Sequence, residues 1–483
     1  MDFSLPLFSA ALPEIVILSM TMVVLMADVF LTDRDQNGLY LLVQFTLVAA
    51  FLVALGQYRE YPTPVITFDG QYILDKLAVL SKLLIYLFSS FAFAYSREYI
   101  KDRKIRRGEY YILGLFSVLG MSIMVSAYSF LTIYLGLELL SFSLYVMVAM
   151  YKQSPQAIEA AMKYFVTGAL ASGMFLYGVS LLYGMTGEVQ IASIAQVLQA
   201  RFDVVGLAAL IFILAALIFK FGAVPFHMWV PDVYEGAATP VTLFIASAPK
   251  VAAFAITVRV LVQALPGLQV AWQEILIVVS VLSMLFGNLL AIAQSNLKRM
   301  LAYSSIAHIG YTLLGVLAGP NSSGGYSAAM FYISTYTLVA AGAFAIIALL
   351  SKNGIEFDKL NDFRGLNARN PWIAFMMLLL MFSMAGVPPT VGFFAKLGLL
   401  ESLVEAHYVW LAVLALLFAL VGAYYYLRVV MLMYFEEPAE AYKDSHIVVS
   451  PNMMAAITVN GVAALVLGVL PSMFIDLCRI SMG

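Results

Sequence analysis

One stretch of the sequence places a charge and a helix break inside an apolar run. Residues 214–241 read LAALIFKFGAVPFHMWVPDVYEGAATPV, in which Lys220 precedes Gly222 and Pro225. A lysine in hydrocarbon costs about 2.5–3.5 kcal/mol on insertion scales. Pro225 also frees the carbonyl of Phe221, and in a bilayer that carbonyl needs a new partner. A charge beside a helix break is typical of a path for ions.

Further ionisable residues lie in other apolar runs, near their middle or beside a break: Glu138, Lys250, His308 and Lys396. Left unpaired, they and Lys220 would together cost on the order of 10–15 kcal/mol, so they must face one another or water. Burial favours the neutral form of a lysine and a nearby carboxylate favours the charged form. A Glu–Lys pair whose separation changes would therefore load and unload a proton. The five residues predict a polar line that transfers protons.

The same residues also have structural interpretations that the sequence leaves open. Glu138 could form a static ion pair, Lys250 could neutralise a carboxylate, and Lys396 could extend toward a helix end. His308 could be an interior histidine that bonds a serine such as Ser304 or Ser305.

Weaker candidates lie closer to helix ends: Lys163, Lys298, His227, Asp232 and Glu235. We expect the last three at the inner mouth, where they would admit protons, whereas Lys298 could equally be a charge that anchors its helix. Structural roles are expected for Lys82, which would pair or extend near Asp75, and for Arg259 as an anchor.

The composition indicates a polytopic membrane protein. Hydrophobic residues make up 63% of the chain and charged residues 11%, against about 25% charged in soluble domains. A single cysteine excludes internal disulfides and cysteine metal sites. The four histidines have no HExxH-like spacing, and neither GxGxxG nor a P-loop occurs. A net charge of −2 gives no indication of nucleic-acid binding.

Fourteen apolar runs have the length of a membrane span. We predict an all-α bundle with spans near 12–31, 38–56, 72–95, 110–127, 129–150, 157–185, 205–229, 241–263, 273–294, 300–318, 327–350, 372–404, 409–434 and 452–476. The seventh and twelfth are expected to be broken, because GAVPF (222–226) and AGVPP (385–389) interrupt them. Paired broken helices indicate inverted repeats.

Lysine and arginine concentrate in alternate loops. The odd-numbered loops contain Arg34, Arg97, Lys101, Arg103, Lys104, Arg106, Arg107, Lys152, Lys298, Arg299, Lys352, Lys359, Arg364, Arg369 and Lys443. The even-numbered loops contain Arg59 and Arg201. Because basic loops stay in the cytoplasm, we predict that both termini face the periplasm.

Six motifs resemble the proton-translocating antiporter-like subunits of respiratory complex I, and they span almost the whole chain. They are GLELLS around Glu138, AMKYFVTGALASG around Lys163, FKFGAVPFHMWVPDVYEGAATPVT around Lys220, SAPKVAAF around Lys250, SNLKRMLAYSSIAHIGY through His308 and GVPPTVGFFAK at Lys396. A lysine rather than a glutamate after GVPP is most similar to the N type of these subunits.

The resemblance implies a three-helix segment (1–109), two inverted five-helix repeats (110–263 and 264–434) and a last helix (435–483). It implies that Glu138 and Lys220 form the coupled pair, that Lys250 links it onward, and that His308 bridges the repeats toward Lys396. It further implies no cofactor in this chain. NADH, FMN, iron–sulfur clusters and quinone would belong to partner subunits in the bacterial inner membrane. The direct neighbours would be lipid, the antiporter-like subunit M and small subunits such as K and J.

Three other functions remain open at this point. A subunit of an Mrp-type cation/proton antiporter shares this ancestry and would exchange sodium for protons without oxidising NADH. A membrane arm of a hydrogenase or formate-lyase complex would co-purify with nickel and iron. A purely structural subunit would use its buried charges only for assembly.

Overall fold

The computed structural model describes residues 6–30, 36–103, 105, 107–200, 204–351, 356–438 and 449–482. Several basic residues that supported the predicted orientation lie outside these ranges: Arg34, Lys104, Arg106, Arg201, Lys352 and Lys443.

The described chain is a bundle of α-helices. The helices before the middle of the chain are α1 (Leu12–Phe30), α2 (Gln36–Glu60), α3 (Lys76–Asp102), α4 (Arg107–Ser126), α5 (Phe130–Val148), α6 (Pro155–Thr186), α7 (Ile191–Ala200), α8 (Val204–Phe221), α9 (Trp229–Gly236), α10 (Thr239–Ile245) and α11 (Ala248–Val258). Those that follow are α12 (Gln269–Ile292), α13 (Leu297–Ala318), α14 (Gly325–Leu350), α15 (Leu366–Arg369), α16 (Pro371–Ala385), α17 (Val391–Glu405), α18 (Val409–Phe435), α19 (Pro451–Val469) and α20 (Ser472–Met482).

Short elements join these helices. They are a β-hairpin of β1 (Val65–Thr67) and β2 (Tyr72–Leu74), a π-helical turn (Arg259–Ala264), and 3₁₀ turns at Phe8–Ala11, Pro266–Leu268, Gly319–Asn321 and Leu360–Phe363. The analysis of apolar runs did not anticipate the hairpin or the helices α7 and α20, because each is too short to register as a span.

Several helix starts are fixed by local sequence. The side chains of Ser129, Ser154 and Asn370 each accept a hydrogen bond from the backbone N–H three residues later. Proline follows Ser154 and Asn370 directly and occupies the first helical turn, where its missing N–H costs nothing. These caps set where α5, α6 and α16 enter the bundle.

The prediction of about fourteen spans with two broken ones is confirmed. Thirteen described helical segments have the length and apolar character of a membrane span. The fourteenth is the pair α16 and α17, which the loop around Pro389 separates. The eighth run also contains an interruption that was not expected. The helix α10 ends at Ile245, and α11 starts at Ala248, two residues before Lys250.

The helices divide into an enclosed centre and a peripheral layer. The segments 239–264 and 325–350 are fully buried in their most apolar windows, and 297–321 is 94% buried. By contrast, the window in α18 is 33% buried, and its outer side carries exposed residues such as Leu416 and Leu420. Such apolar outer faces suit contact with lipid. The candidate residues lie on or beside the enclosed helices.

Candidate proton-translocation site

Serine side chains bond both charges of the first predicted pair. Lys220 Nζ on α8 donates to Ser141 Oγ at 2.6 Å, and Ser141 lies one turn after Glu138 on α5. The Glu138 carboxylate accepts a hydrogen bond from Ser172 Oγ of α6. Residues of α5, α6 and α8 therefore meet around the two charges. The direct hydrogen-bond partner of Lys220 is Ser141.

Lys250 satisfies the carbonyl that the first helix break releases. Its Nζ donates to the carbonyl of Phe221 at 2.5 Å, and Phe221 is the last residue of α8. The expectation that this carbonyl needs a new partner is thus confirmed. A cation at a helix C-terminus also interacts favourably with the helix dipole. The Lys250 ammonium lies 5.8 Å from the ring centroid of Trp229, whose indole N–H donates to the Phe219 carbonyl at 3.0 Å.

Lys396 has the corresponding role at the second break. Its Nζ donates to the carbonyls of Met384 at 3.0 Å and Ala385 at 2.8 Å, at the end of α16. The side chain is therefore directed into the break, where it caps the C-terminal end of α16. Both broken helices thus end on a lysine ammonium, supplied by α11 in one case and by α17 in the other.

His308 is held between two tyrosines from different helices. Its Nδ1 lies 2.7 Å from the Tyr332 hydroxyl, and its Nε2 lies 2.9 Å from the Tyr426 hydroxyl. The ring stacks on Tyr336 with centroids 4.4 Å apart. Neither serine expected beside His308 bonds it, since Ser304 pairs with Tyr426 at 2.5 Å and the Ser305 hydroxyl makes no hydrogen bond.

Sequence reasoning missed these tyrosines because it assigned aromatic residues to packing or lipid contact by default. A usable signal was present in the two tyrosine clusters 332–336 and 424–426 within apolar helices. A buried tyrosine hydroxyl requires a hydrogen-bond partner.

A small cavity connects His308 with Lys396. It has a volume of about 20 Å³, and its lining includes both residues together with Thr335, Tyr336 and Ser383. About 10–15 Å³ suffices for one water molecule when polar groups surround it. The cavity therefore has room for a water within reach of both titratable side chains.

A charged vestibule of about 480 Å³ brings most of the weaker candidates together. Asp232 accepts from Lys163 Nζ and from Arg299 Nη1, both at 2.8 Å, and Arg299 also pairs with Glu235 at 2.8 Å. Lys298 is 2% exposed and donates to the Ala237 carbonyl at 2.9 Å.

Lys298 is therefore a buried group of the vestibule wall and not an exposed charge at the start of α13. The described residues that line this vestibule do not include His227. The structure separates that candidate from the other four.

The chain matches a known model for a family of membrane proteins, and the match covers both helix breaks that lysine side chains cap. The model for NADH:quinone oxidoreductase/Mrp antiporter transmembrane proteins matches residues 127–422, which include all five principal candidates.

Comparison with individual relatives shows which family within this class the chain belongs to. NADH-quinone oxidoreductase subunit N of Thioalkalivibrio sulfidiphilus is 50% identical over 480 residues, which cover 99% of this chain and 98% of the relative. A chain of respiratory complex I from Thermus thermophilus superposes with a TM-score of 0.83 at 32% identity, covering 97% and 99% of the two chains. This chain belongs to the NADH-quinone oxidoreductase subunit N family.

The Mrp complex of Dietzia sp. DQ12-45-1b contains a chain of the same fold. Its TM-score is 0.84, but only 21% of the aligned residues are identical, over 97% of each chain. That similarity extends to the fold alone.

Proposed function

We propose that this chain is a proton-translocating membrane subunit of NADH-quinone oxidoreductase and that it transfers protons along the line of buried residues. The observation that carries this proposal is the placement of Lys250 and Lys396 on the last carbonyls of the two broken helices. A lysine that shares its proton only with a carbonyl is free to give that proton to water or to another side chain.

The proposed route starts at the coupled pair Glu138 and Lys220. A conformational change that brings the carboxylate closer to the ammonium stabilises the charged lysine, and separation releases its proton. The proton then passes to Lys250 and onward to His308 and Lys396. The cavity beside His308 supplies room for water in the last step.

The redox chemistry is assigned to partner subunits. NADH, FMN, iron–sulfur clusters and quinone would be bound there, and the released energy would reach Glu138 and Lys220 through contacts between subunits. We propose the antiporter-like subunit M and small subunits such as K and J as neighbours in a bacterial inner membrane, with both termini in the periplasm. The repeats would occupy residues 110–263 and 264–434.

An Mrp-type antiporter remains the second candidate function because the fold is shared. The near full-length identity of 50% to a subunit N favours the oxidoreductase. Purification in mild detergent distinguishes the two functions. We expect quinone-dependent NADH oxidation in the purified assembly, whereas sodium-dependent proton exchange without NADH oxidation would support the antiporter.

Replacing the coupled pair tests the proposed route. We expect Lys220→Ala and Glu138→Ala each to reduce NADH-driven acidification of membrane vesicles in fully assembled complex. Lys220→Arg should not restore pumping fully, because arginine does not deprotonate in proteins. The exposed Lys101→Ala serves as the control and should pump normally. A normal proton-to-electron ratio in both pair variants would refute the assigned roles.

A further inference from the structure

Polar residues follow one face of the buried helix α13. Lys298, Ser305, His308 and Thr312 are spaced by seven, three and four residues, which places them on one side of an α-helix. Lys298 borders the vestibule, and His308 borders the small cavity at Lys396. Ser305 lies about 10 Å along the helix from Lys298, at a rise of 1.5 Å per residue. The stripe therefore runs from one cavity toward the other.

Two hydroxyls on this line are buried and have no hydrogen-bond partner. Tyr234 of α9 is 0% exposed and Ser305 is 1% exposed, yet neither oxygen makes a hydrogen bond. Ser305 lies within interaction range of the phenols of both Tyr234 and Tyr336, although neither contact has the geometry of a direct hydrogen bond. Buried polar groups in proteins are bonded in the great majority of cases, and an internal water is a common partner.

Tyr234, Ser305 and Tyr336 adjoin the vestibule wall on one side and His308 on the other. Tyr234 lies on α9, one turn before Ala237, whose carbonyl accepts from Lys298 in the vestibule wall. At the other end Tyr336 stacks on the His308 ring and lines the cavity that contains Lys396. Tyr234, Ser305 and Tyr336 thus lie between an element that borders the vestibule and the cavity at His308.

We propose that Tyr234 and Ser305 position water molecules that form a second proton inlet, from the vestibule at Lys298 to His308. Hydroxyl groups both donate and accept hydrogen bonds, so each passes a proton to a bridging water without a net change in its own charge. This inlet bypasses Glu138, Lys220 and Lys250 and delivers protons directly to the second half of the chain. The proposal rests on the proposed function of the chain.

The test removes one hydroxyl at a time. In Tyr234→Phe and Ser305→Ala the lost oxygen has no direct partner, so a purely structural role predicts unchanged assembly and unchanged pumping. A role in proton transfer predicts a loss of NADH-driven acidification in vesicles that contain fully assembled complex. We expect at least about a twofold loss, because steps that lose a proton relay commonly slow by about 10² or more.

Two buried side chains away from the line provide matched controls. Tyr95→Phe removes a hydroxyl that does bond, to the Ala456 carbonyl at 3.1 Å, and Ser89→Ala removes another unpartnered buried hydroxyl. The first should lower thermal stability and leave pumping intact, and the second should change neither property.

The possible outcomes separate this proposal from the function on which it rests. Normal pumping in assembled Tyr234→Phe and Ser305→Ala complex overturns the inlet, even if Lys220→Ala stops pumping. Loss of assembly in both variants also overturns it, because the hydroxyls would then be structural. Normal pumping in Lys220→Ala and Glu138→Ala refutes the proposed route itself.

Discussion

At the scale of single residues, the distinctive feature is how the charges of the proposed proton line are satisfied. The ammonium groups bond serine or main-chain carbonyls, and the imidazole bonds tyrosine hydroxyls. Such neutral partners stabilise a charge less than an opposite charge would. Under the proposed function, such neutral partners leave these groups able to exchange protons more readily than a tight ion pair would.

Glu356, between α14 and α15, contrasts with this pattern because it is surrounded by donors. It accepts hydrogen bonds from the hydroxyls of Tyr99 and Thr239 and lies 3.3 Å from the Arg103 guanidinium. Burial alone would raise the pKa of Glu356, but Lys298, Tyr99 and Arg103 together hold that pKa below its usual value of 4.5. A carboxylate with a depressed pKa in the folded state stabilises the fold above its unfolded pKa.

We predict that Glu356→Gln lowers the thermal stability of the purified complex at pH 7. The difference from the unmodified protein should begin to shrink below about pH 4.5, where the unfolded carboxylate takes up a proton, and should be lost as the pH falls through the lower pKa of the folded carboxylate. Thermal unfolding measured from pH 7 to about pH 3 tests the prediction, with the exposed Glu401→Gln as the control. A difference that does not change with pH would contradict it.

At the scale of elements, the two helix breaks depend on glycines with left-handed backbone. Gly222 has φ of 75° after α8, and Gly386 has φ of 86° after α16. This conformation costs an L-residue roughly 1–2 kcal/mol. At Gly386 a Cβ would also lie 2.9 Å from Lys396 Cδ, so a side chain there would push the lysine away from the carbonyls it caps.

We predict that Gly386→Ala lowers both thermal stability and proton pumping. Gly187 is a matched control, because its φ is 72° and a Cβ there would meet nothing within 4 Å. Gly187→Ala should therefore pay the backbone strain of about 1–2 kcal/mol and keep pumping normal. Unfolding temperatures and vesicle acidification measured side by side separate strain from displacement of Lys396. Equal pumping in the two variants would show that the position of Lys396 is not critical.

At the scale of the whole molecule, one buried ion pair joins two N-terminal helices to each other and a second joins them to the rest of the chain. Lys82 of α3 pairs with Glu14 of α1 at 2.6 Å and is 0% exposed. Arg259, also 0% exposed, holds Asp75 at 3.0 Å. Arg259 is therefore not an anchor at the membrane surface as its sequence position indicated. It ties the start of α3 to the helix that carries Lys250.

We predict that Lys82→Met destabilises the protein strongly, by about 3–5 kcal/mol, because it leaves the Glu14 carboxylate buried without its cation. The double variant Lys82→Met with Glu14→Gln should recover much of that loss, since no uncompensated charge remains. The yield of assembled complex and its unfolding temperature measure both effects. A double variant as unstable as the single one would show that packing, and not charge, holds these helices.

The sequence by itself determined the membrane class, the number of spans and both breaks. Apolar length, proline and glycine act through local chemistry that needs no distant partner. It also singled out Glu138, Lys220, Lys250, His308 and Lys396, because a charge within an apolar run is conspicuous wherever it points.

Only the tertiary structure decided which groups meet. The contacts of Lys250 with the Phe221 carbonyl and of His308 with Tyr426 join residues 29 and 118 positions apart. The spacing of residues along the sequence does not predict such a contact, because the contact depends on how whole helices pack against one another. The same reason hid the association of Ser305 with Tyr234, because the two residues lie 71 positions apart on α13 and α9.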